Sequence, residues 1–427
     1  MKNQSIANTT METIQWFVFL LASSVALPIV IGAIFEMNFA EVSGLMQRTF
    51  FIVGIASLLQ GLFGHKLPIM EGPAGIWISI FTVMAVTGLQ HGTSLDDSLR
   101  ILETTMIFTG IFLFLFGVLK ISQLILPIFT PLVTGVFFFL LTVQLSGTFL
   151  QGMLGLQGGS ETIQMGGAGL AFFTFFIVLG LSIFGKGWLS SYAVLIGIAV
   201  GWSVYGLMLG SEHSIGEVAV FALPEWFAFG MPKFDLSVIP IAFITALILI
   251  SNVVASIVAV SQTLGSQKKD FRKEVNQGTI FSGINHSLAG IFSSIANVPL
   301  ATSAGFIGLT GQKRKMPFIY ASILLVIIAL FPPVVALISS IPSPIANAAL
   351  MASFVQLVGL AVNNVTLENL DTRKMTIVGV AYLFGMGTMF LPTEVFAEFP
   401  SYLQNLLSNG LLVGTAIVIV LEQLWRE

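Results

Sequence analysis

The sequence contains no cysteine, which excludes disulfides, thiolate metal sites and cysteine nucleophiles. Charge is scarce too: 9% of the 427 residues are Asp, Glu, Lys or Arg, against 56% hydrophobic. The four histidines, His65, His91, His213 and His286, lie far apart, with no spacing that suggests a metal site. No paired acids, metal cluster or nucleophile with its base stands at a useful spacing, so neither enzymatic chemistry nor a cofactor is expected.

What is present instead is a series of apolar runs of about twenty residues, from Trp16 to Leu424, each long enough to cross a ~30 Å hydrocarbon core. A soluble chain of this composition would expose apolar surface far beyond the few hundred Å² that monomers tolerate. The expected fold class is therefore an all-α polytopic membrane protein. The runs divide into about fourteen spans, over residues 14–34, 48–64, 68–88, 101–120, 123–148, 167–185, 189–209, 236–261, 277–294, 299–311, 316–338, 345–363, 374–392 and 404–424.

With both termini placed in the cytoplasm, about fourteen of the seventeen basic residues face inward, including the clusters Lys268 to Lys273 and Lys313 to Lys315. Only Arg48, Arg100 and Lys233 face outward, a strong positive-inside signal. The clusters read as solvated loops that fix orientation and need no nucleic acid to explain them. The first span follows a polar leader of about a dozen residues, has no small-residue cleavage pattern, and is expected to be a retained helix.

One motif occurs twice. Pro68-Ile-Met-Glu71-Gly72-Pro73-Ala74-Gly75 returns as Pro299-Leu-Ala-Thr302-Ser303-Ala304-Gly305, a Pro-led, Gly-centred break inside a hydrophobic segment. Helix-breaking backbone at membrane depth survives only where protein buries it or where it lines a cavity. A matched pair of interrupted spans points to the substrate site of a secondary transporter with inverted repeats. The polar stretch Ser211 to Asp235 separates two sets of seven spans, and an odd number per half inverts the second. Gly75 and Gly305 are about 230 residues apart, an offset that also sets Ala22-Ser23-Ser24 beside Ser251-Asn252. Small residues that merely allow tight helix packing are the competing explanation for such short matches. Gly72 to Gly75 and Ser303 to Gly305 are expected to be non-helical, in spans three and ten, each followed by a short helix.

Four ordered stretches resemble the nucleobase/ascorbate transporter family, or nucleobase cation symporter-2. They are Gln15-Trp16 through Ala26-Leu27-Pro28, Gly64-His-Lys66-Leu67-Pro68-Ile-Met-Glu71-Gly72, Thr130-Pro131-Leu132-Val133-Thr134-Gly135, and Phe331-Pro332 with Ile341-Pro342-Ser343-Pro344. The resemblance runs over essentially the whole chain but is divergent. Where the family has a Glu in the eighth span, this chain has Asn252, and Trp16 replaces a usual His. In the tenth span, one register puts Gly305 and Phe306 at the family's Glu/Gln-Asn positions and another puts Thr302 and Ser303 there. Neither restores a carboxylate.

The resemblance implies a permease for a purine or pyrimidine nucleobase, coupled to H⁺ or Na⁺ and assembled as a homodimer in the cell membrane. It also implies a core domain (1–120 and 236–340) that rocks against a gate domain (121–235 and 341–427). Chemically, a carboxamide such as Asn252 can meet the edge of a base with two hydrogen bonds. Backbone amides around Ala74, Gly75 and Gly305 would assist, and two opposed helix starts would favour an anionic or electron-rich ligand. The competing role for Asn252 is a helix-to-helix hydrogen bond. Phe306 is the best-placed ring-stacking candidate, against a role in packing; His286 is either functional or a neutral core histidine. Glu71 is a candidate proton-coupling group: five extended residues from Lys66 carry it ~16 Å inward, unless it sits shallow and pairs with Lys66 or His65. The alternative function is an anion transporter or channel-like protein of the related fold.

Overall fold

The computed structural model describes residues 2–73, 75–90, 92–121, 128, 130–156, 162–210, 219–235, 238–266, 270–396, 399, 403 and 407–425. In chain order these form α1 (Lys2–Ile34), α2 (Phe39–Leu62), β1 (Glu71–Pro73), α3 (Gly75–Gln90), α4 (Leu95–Val118), α5 (Pro131–Leu154), α6 (Met165–Phe184) and α7 (Ala193–Leu209). They continue with α8 (Val238–Thr263), α9 (Arg272–Ile291), β2 (Asn297–Pro299), α10 (Thr302–Thr310), α11 (Lys315–Ala329), α12 (Pro332–Ser339), α13 (Ser343–Val365), α14 (Thr372–Met389) and α15 (Gly410–Leu424). Single helical turns lie at Trp188–Ser191 and Thr393–Phe396.

Local sequence accounts for many of the helix starts. Asn38 and Glu41 close a capping box on α2, and Ser94, Thr130, Asp371 and Asn409 each accept an amide of the first turn of their helix. Pro131 occupies the first helical position of α5, where no amide hydrogen is needed. Among the described residues, seven helices (α1, α2, α4, α5, α6, α8 and α13) are long and apolar enough to cross a membrane. The span expected at 316–338 is not one helix: α11 and α12 meet at 92°. Pro332 and Pro333 explain the break, because neither donates an amide and each clashes with a continuing helix.

The packing repeats itself between the two halves. α9 lies on α4 as α2 lies on α11, α8 packs on α4 as α1 packs on α11, and the α6–α7 pair is matched by α14–α15. Across the middle, α5 packs on α13. The α4–α9 crossing brings backbones together: a methyl at Gly110 would lie 2.5 Å from the Gly283 carbonyl oxygen and 2.3 Å from Ser287 Oγ. In a bilayer, where lipid is as apolar as leucine, such close packing is what holds helices to each other.

The two three-residue strands pair antiparallel, with Glu71 opposite Pro299, Gly72 opposite Val298 and Pro73 opposite Asn297. Their outer edges are bonded by serines. Ser57 Oγ of α2 accepts the Glu71 amide at 3.0 Å, and Ser256 Oγ of α8 donates to the Pro299 carbonyl at 2.7 Å. The ends are closed by Met70, whose amide donates to Ser303 Oγ and whose carbonyl accepts from Leu300. This corrects the expected register. Ser303 to Gly305 are helical, inside α10, and the extended segment is 297–299. Chain order makes Pro73, not Pro68, the counterpart of Pro299, and Gly75 opens a helix rather than belonging to the break.

At one end of the molecule the loop 219–235 is stitched to the helices. Arg48 Nε donates to the Ser293 carbonyl at 3.0 Å with its guanidinium 5.2 Å from the Phe229 ring centre, Arg100 Nε donates to the Met231 carbonyl, and Lys233 pairs with Asp97 at 2.9 Å. Buried Glu103 accepts from the Ser293 hydroxyl, which in turn accepts the Phe229 amide. The three bases expected to face outward thus share one network. At Gly72 a methyl would lie 2.5 Å from Leu300 Cδ1, so a side chain there requires the buried strand crossing to repack around Leu300 and Met70. Gly72→Val is expected to destabilise the protein by ~1–3 kcal/mol through overpacking, read as a lower melting midpoint in detergent; a midpoint at or above wild type would show that the crossing has slack.

Candidate substrate site

Pairing β1 with β2 has a geometric result: each strand runs directly into a helix start, α3 two residues after β1 and α10 three residues after β2. The first turn of a helix carries amides without intrahelical partners and the positive end of the helix dipole. The structure brings two positive helix ends to the same strand crossing, and at α10 the Ser303 and Ala304 amides already donate to the Leu300 and Ala301 carbonyls.

The two starts face different surroundings. Half-buried Gly75 looks at the opposite helices, and a methyl on it would lie 3.3 Å from Phe354 Cζ of α13 and 3.5 Å from Leu141 Cδ2 of α5. Gly305 faces open space with nothing within 4 Å, and Thr302, one turn earlier, is exposed as well. Ala74 lies outside the described residues. Asn252 is half-buried on α8, one helical turn before Ser256, which grips β2. Positions i and i+4 share a helix face, so Asn252 lies on the side of α8 that meets the strand crossing.

Other expected site residues have structural partners. Ser303 is fully buried with its hydroxyl on the Met70 amide. Phe306 is buried between aromatic neighbours, stacked on Phe19 at 4.6 Å and tilted against Trp16 at 4.6 Å. Trp16, which stands where the family has His, thus packs against the ring proposed for stacking. His286 lies in α9 with Nδ1 2.8 Å from the Ser282 carbonyl, its ring 5.9 Å from that of Trp77. Glu71 is fully buried with its carboxylate 3.8 Å from His65 Nε2, the pairing named above as the alternative, its backbone meets Ser57 of α2, and the stretch from Lys66 turns rather than running extended, with Lys66 at φ 64°.

Three residues near the site were not among the sequence candidates. Phe354 is half-buried opposite Gly75, offering a ring where Phe306 cannot. Tyr192 packs its ring 6.5 Å from Phe306 and has a buried hydroxyl with no hydrogen-bond partner among the described residues. Asn409, which caps α15, reaches Ser79 of α3 at 3.5 Å, while Gln144 of α5 accepts the Leu411 amide. Only Asn409 was foreshadowed, by the turn-forming Asn409-Gly410 pair. A shallow apolar groove of about 260 Å³ between α4 and α9, lined by Ile111, Phe114 and Ile284 among others, is remote from this chemistry.

Comparison with known proteins agrees with this architecture. Residues 7–394 match the model of the Permease family Xan_ur_permease. The candidate purine permease YwdJ of Bacillus subtilis is 31% identical over 97% of this chain and 96% of its own length. Uric acid permease PucJ of the same organism is 26% identical over 99% and 93%. Among solved structures, the transmembrane domain of the cyanobacterial bicarbonate transporter BicA superposes with a TM-score of 0.66 at 13% identity, over 96% of this chain and 97% of that one. The chain belongs to this permease family, as a divergent member of the nucleobase/ascorbate transporters. It is a multi-pass membrane transporter and not an enzyme.

Absence of native cysteine makes the open face directly testable. Thr302→Cys and Gly305→Cys are expected to react with a hydrophilic maleimide in the folded protein, and Ser303→Cys to stay unlabelled until denaturation. Labelling of Ser303→Cys at the rate of the other two would place the α10 open face wrongly.

Proposed function

We propose that the protein is a secondary active permease for a purine base, taken up by ion-coupled symport. The observation that carries this reading is the convergence of two helix starts on one strand crossing, with a carboxamide, Asn252, on the neighbouring helix face and no carboxylate on the exposed face of α10. Two positive dipole ends without a fixed negative charge suit an electron-rich or acidic heterocycle such as urate or xanthine. Asn252 would meet the amide-like edge of the base, the amides of Gly75 and Thr302 its oxygens, and Phe354 its face. Family membership and the purine and uric acid permeases among the relatives support the substrate class.

In this reading the chain forms fourteen spans as seven plus seven inverted repeats, with both termini cytoplasmic in the cell membrane. Residues 1–120 and 236–340 form a core that carries the strand crossing. Residues 121–235 and 341–427 form a gate, and two copies dimerise so that core moves against gate. Glu71 carries the coupling proton; it is the buried carboxyl next to the site.

The second reading is an anion transporter that uses the same dipole ends, a use suggested by the fold shared with a bicarbonate transporter. Uptake of labelled urate, xanthine and uracil beside sulfate and bicarbonate separates the two. A purine should also raise the melting midpoint, because saturation at 100 times Kd stabilises the folded state by ~2.7 kcal/mol. Removing a buried hydrogen-bond partner costs ~1–3 kcal/mol, so Asn252→Ala is expected to weaken purine binding roughly 5- to 150-fold. Stabilisation by sulfate or bicarbonate alone would reverse the assignment, and unchanged affinity in a folded Asn252→Ala protein would return Asn252 to helix packing.

A further inference from the structure

His65 and Glu71 face each other across a sealed interior. Both side chains are fully buried, Nε2 and Oε1 are 3.8 Å apart, and neither His65 Nε2 nor either Glu71 oxygen has a hydrogen-bond partner among the described residues. The other ring nitrogen of His65 is already committed, since Nδ1 accepts the Leu67 amide at 3.1 Å. That bond fixes the tautomer. An imidazole that accepts at Nδ1 carries its hydrogen at Nε2, the atom that points at Glu71.

The turn that imposes this is itself held tightly. Lys66 is in the left-handed region with φ of 64°, its amide donates to the Gln60 carbonyl, and the His65 amide donates to Gln60 Oε1. Gln60 also donates to the Gly278 carbonyl and to Ser282 Oγ of α9. The imidazole is therefore a donor on a rigid mount, while Glu71 rides on β1, which is paired with β2 and leads into α3.

We propose that His65 is the positioning residue of a proton site on Glu71, its fixed Nε2–H serving to stabilise the carboxylate after the proton leaves. This rests on the reading of Glu71 as the proton carrier. At 3.8 Å the pair is beyond hydrogen-bond reach. Loss of the proton from Glu71 creates a charged acceptor and draws β1 toward His65 by about 1 Å, where a charge-assisted bond forms. Because β1 carries the start of α3, the same small shift moves the substrate amides. Proton release and substrate release are thereby linked through one strand.

Other ionisable groups do not compete for this role. On α9 they are Arg272, Lys273 and Glu274 in the first turn, the two bases exposed, and His286, whose Nδ1 is held by Ser282; on α2 they are Glu41 and Arg48, the latter bonded to Ser293. On α1, Glu12 is paired with Arg314. α3, α8, α10 and β2 contain none, and Lys66 beside His65 is exposed.

Two readouts test the proposal. In an infrared pH titration of the purified protein, a protonated-carboxyl band absent from Glu71→Gln identifies the Glu71 carboxyl. His65→Leu is expected to move the midpoint of that band upward by about one to two pH units, the worth of a hydrogen bond to a charged group. His65→Gln, which restores an N–H donor, is expected to recover at least half of the shift. In vesicles, the pH profile of purine accumulation should move in the same direction in His65→Leu, and Glu71→Gln should lose accumulation with base exchange still measurable. A midpoint unmoved in His65→Leu, or a band that survives in Glu71→Gln, overturns the proposal. Failure of the purine reading shows differently: wild type would neither accumulate nor exchange the base while the infrared midpoint still followed His65.

Discussion

Everything in this fold depends on satisfying backbone amides and carbonyls where no water can reach them. Two strands of three residues cross between the halves, and each needs partners on both edges. The inner edges supply each other, and the outer edges are met by Ser57 and Ser256, one from each half. An unpaired backbone group in hydrocarbon costs several kcal/mol, so these short contacts decide whether the chain can interrupt its helices at all.

Several buried polar side chains are occupied in holding the backbone. Ser57, Ser256, Ser303 and Gln60 are fully engaged with main chain or with each other, and Arg48 and Glu103 meet through Ser293 beneath the loop 219–235. Asn252, Thr302 and the start of α3 are left to the proposed site, since the Ser303 and Ala304 amides at the start of α10 donate to the Leu300 and Ala301 carbonyls. In the proposed site, made largely of dipoles, the ligand contributes any net charge.

Much of this was legible in the sequence because it is written in local chemistry. Apolar runs, the Pro-Gly breaks and the loop bases gave the class of protein, and four motifs gave its family. What failed was whatever depends on distant partners. Pro68 and Pro73 are both plausible matches to Pro299, and only pairing Gly72 with Val298 chooses between them, a contact that neither segment encodes alone. Phe306 looked available because its cover, Phe19 and Trp16, comes from the other end of the chain. Span 316–338 was read as one helix although Pro332 and Pro333 were in view, because its apolar run is unbroken even where its backbone is not. Phe354 and Tyr192 lie in apolar stretches where no local feature distinguishes a site residue from packing.

The strand crossing also sets a timetable for biosynthesis. When Glu71, Gly72 and Pro73 emerge, the segment that pairs with them is still about 225 residues from being made. At ~5–20 residues per second, this means a wait of roughly 10–45 s. Throughout that interval the first half has an extended segment with one edge open and a buried acid beside it, so it cannot reach its final structure by itself. The two halves are not modules joined late. Each is the other's missing strand, and truncation or arrest between them leaves an unfinished interior that quality control can recognise.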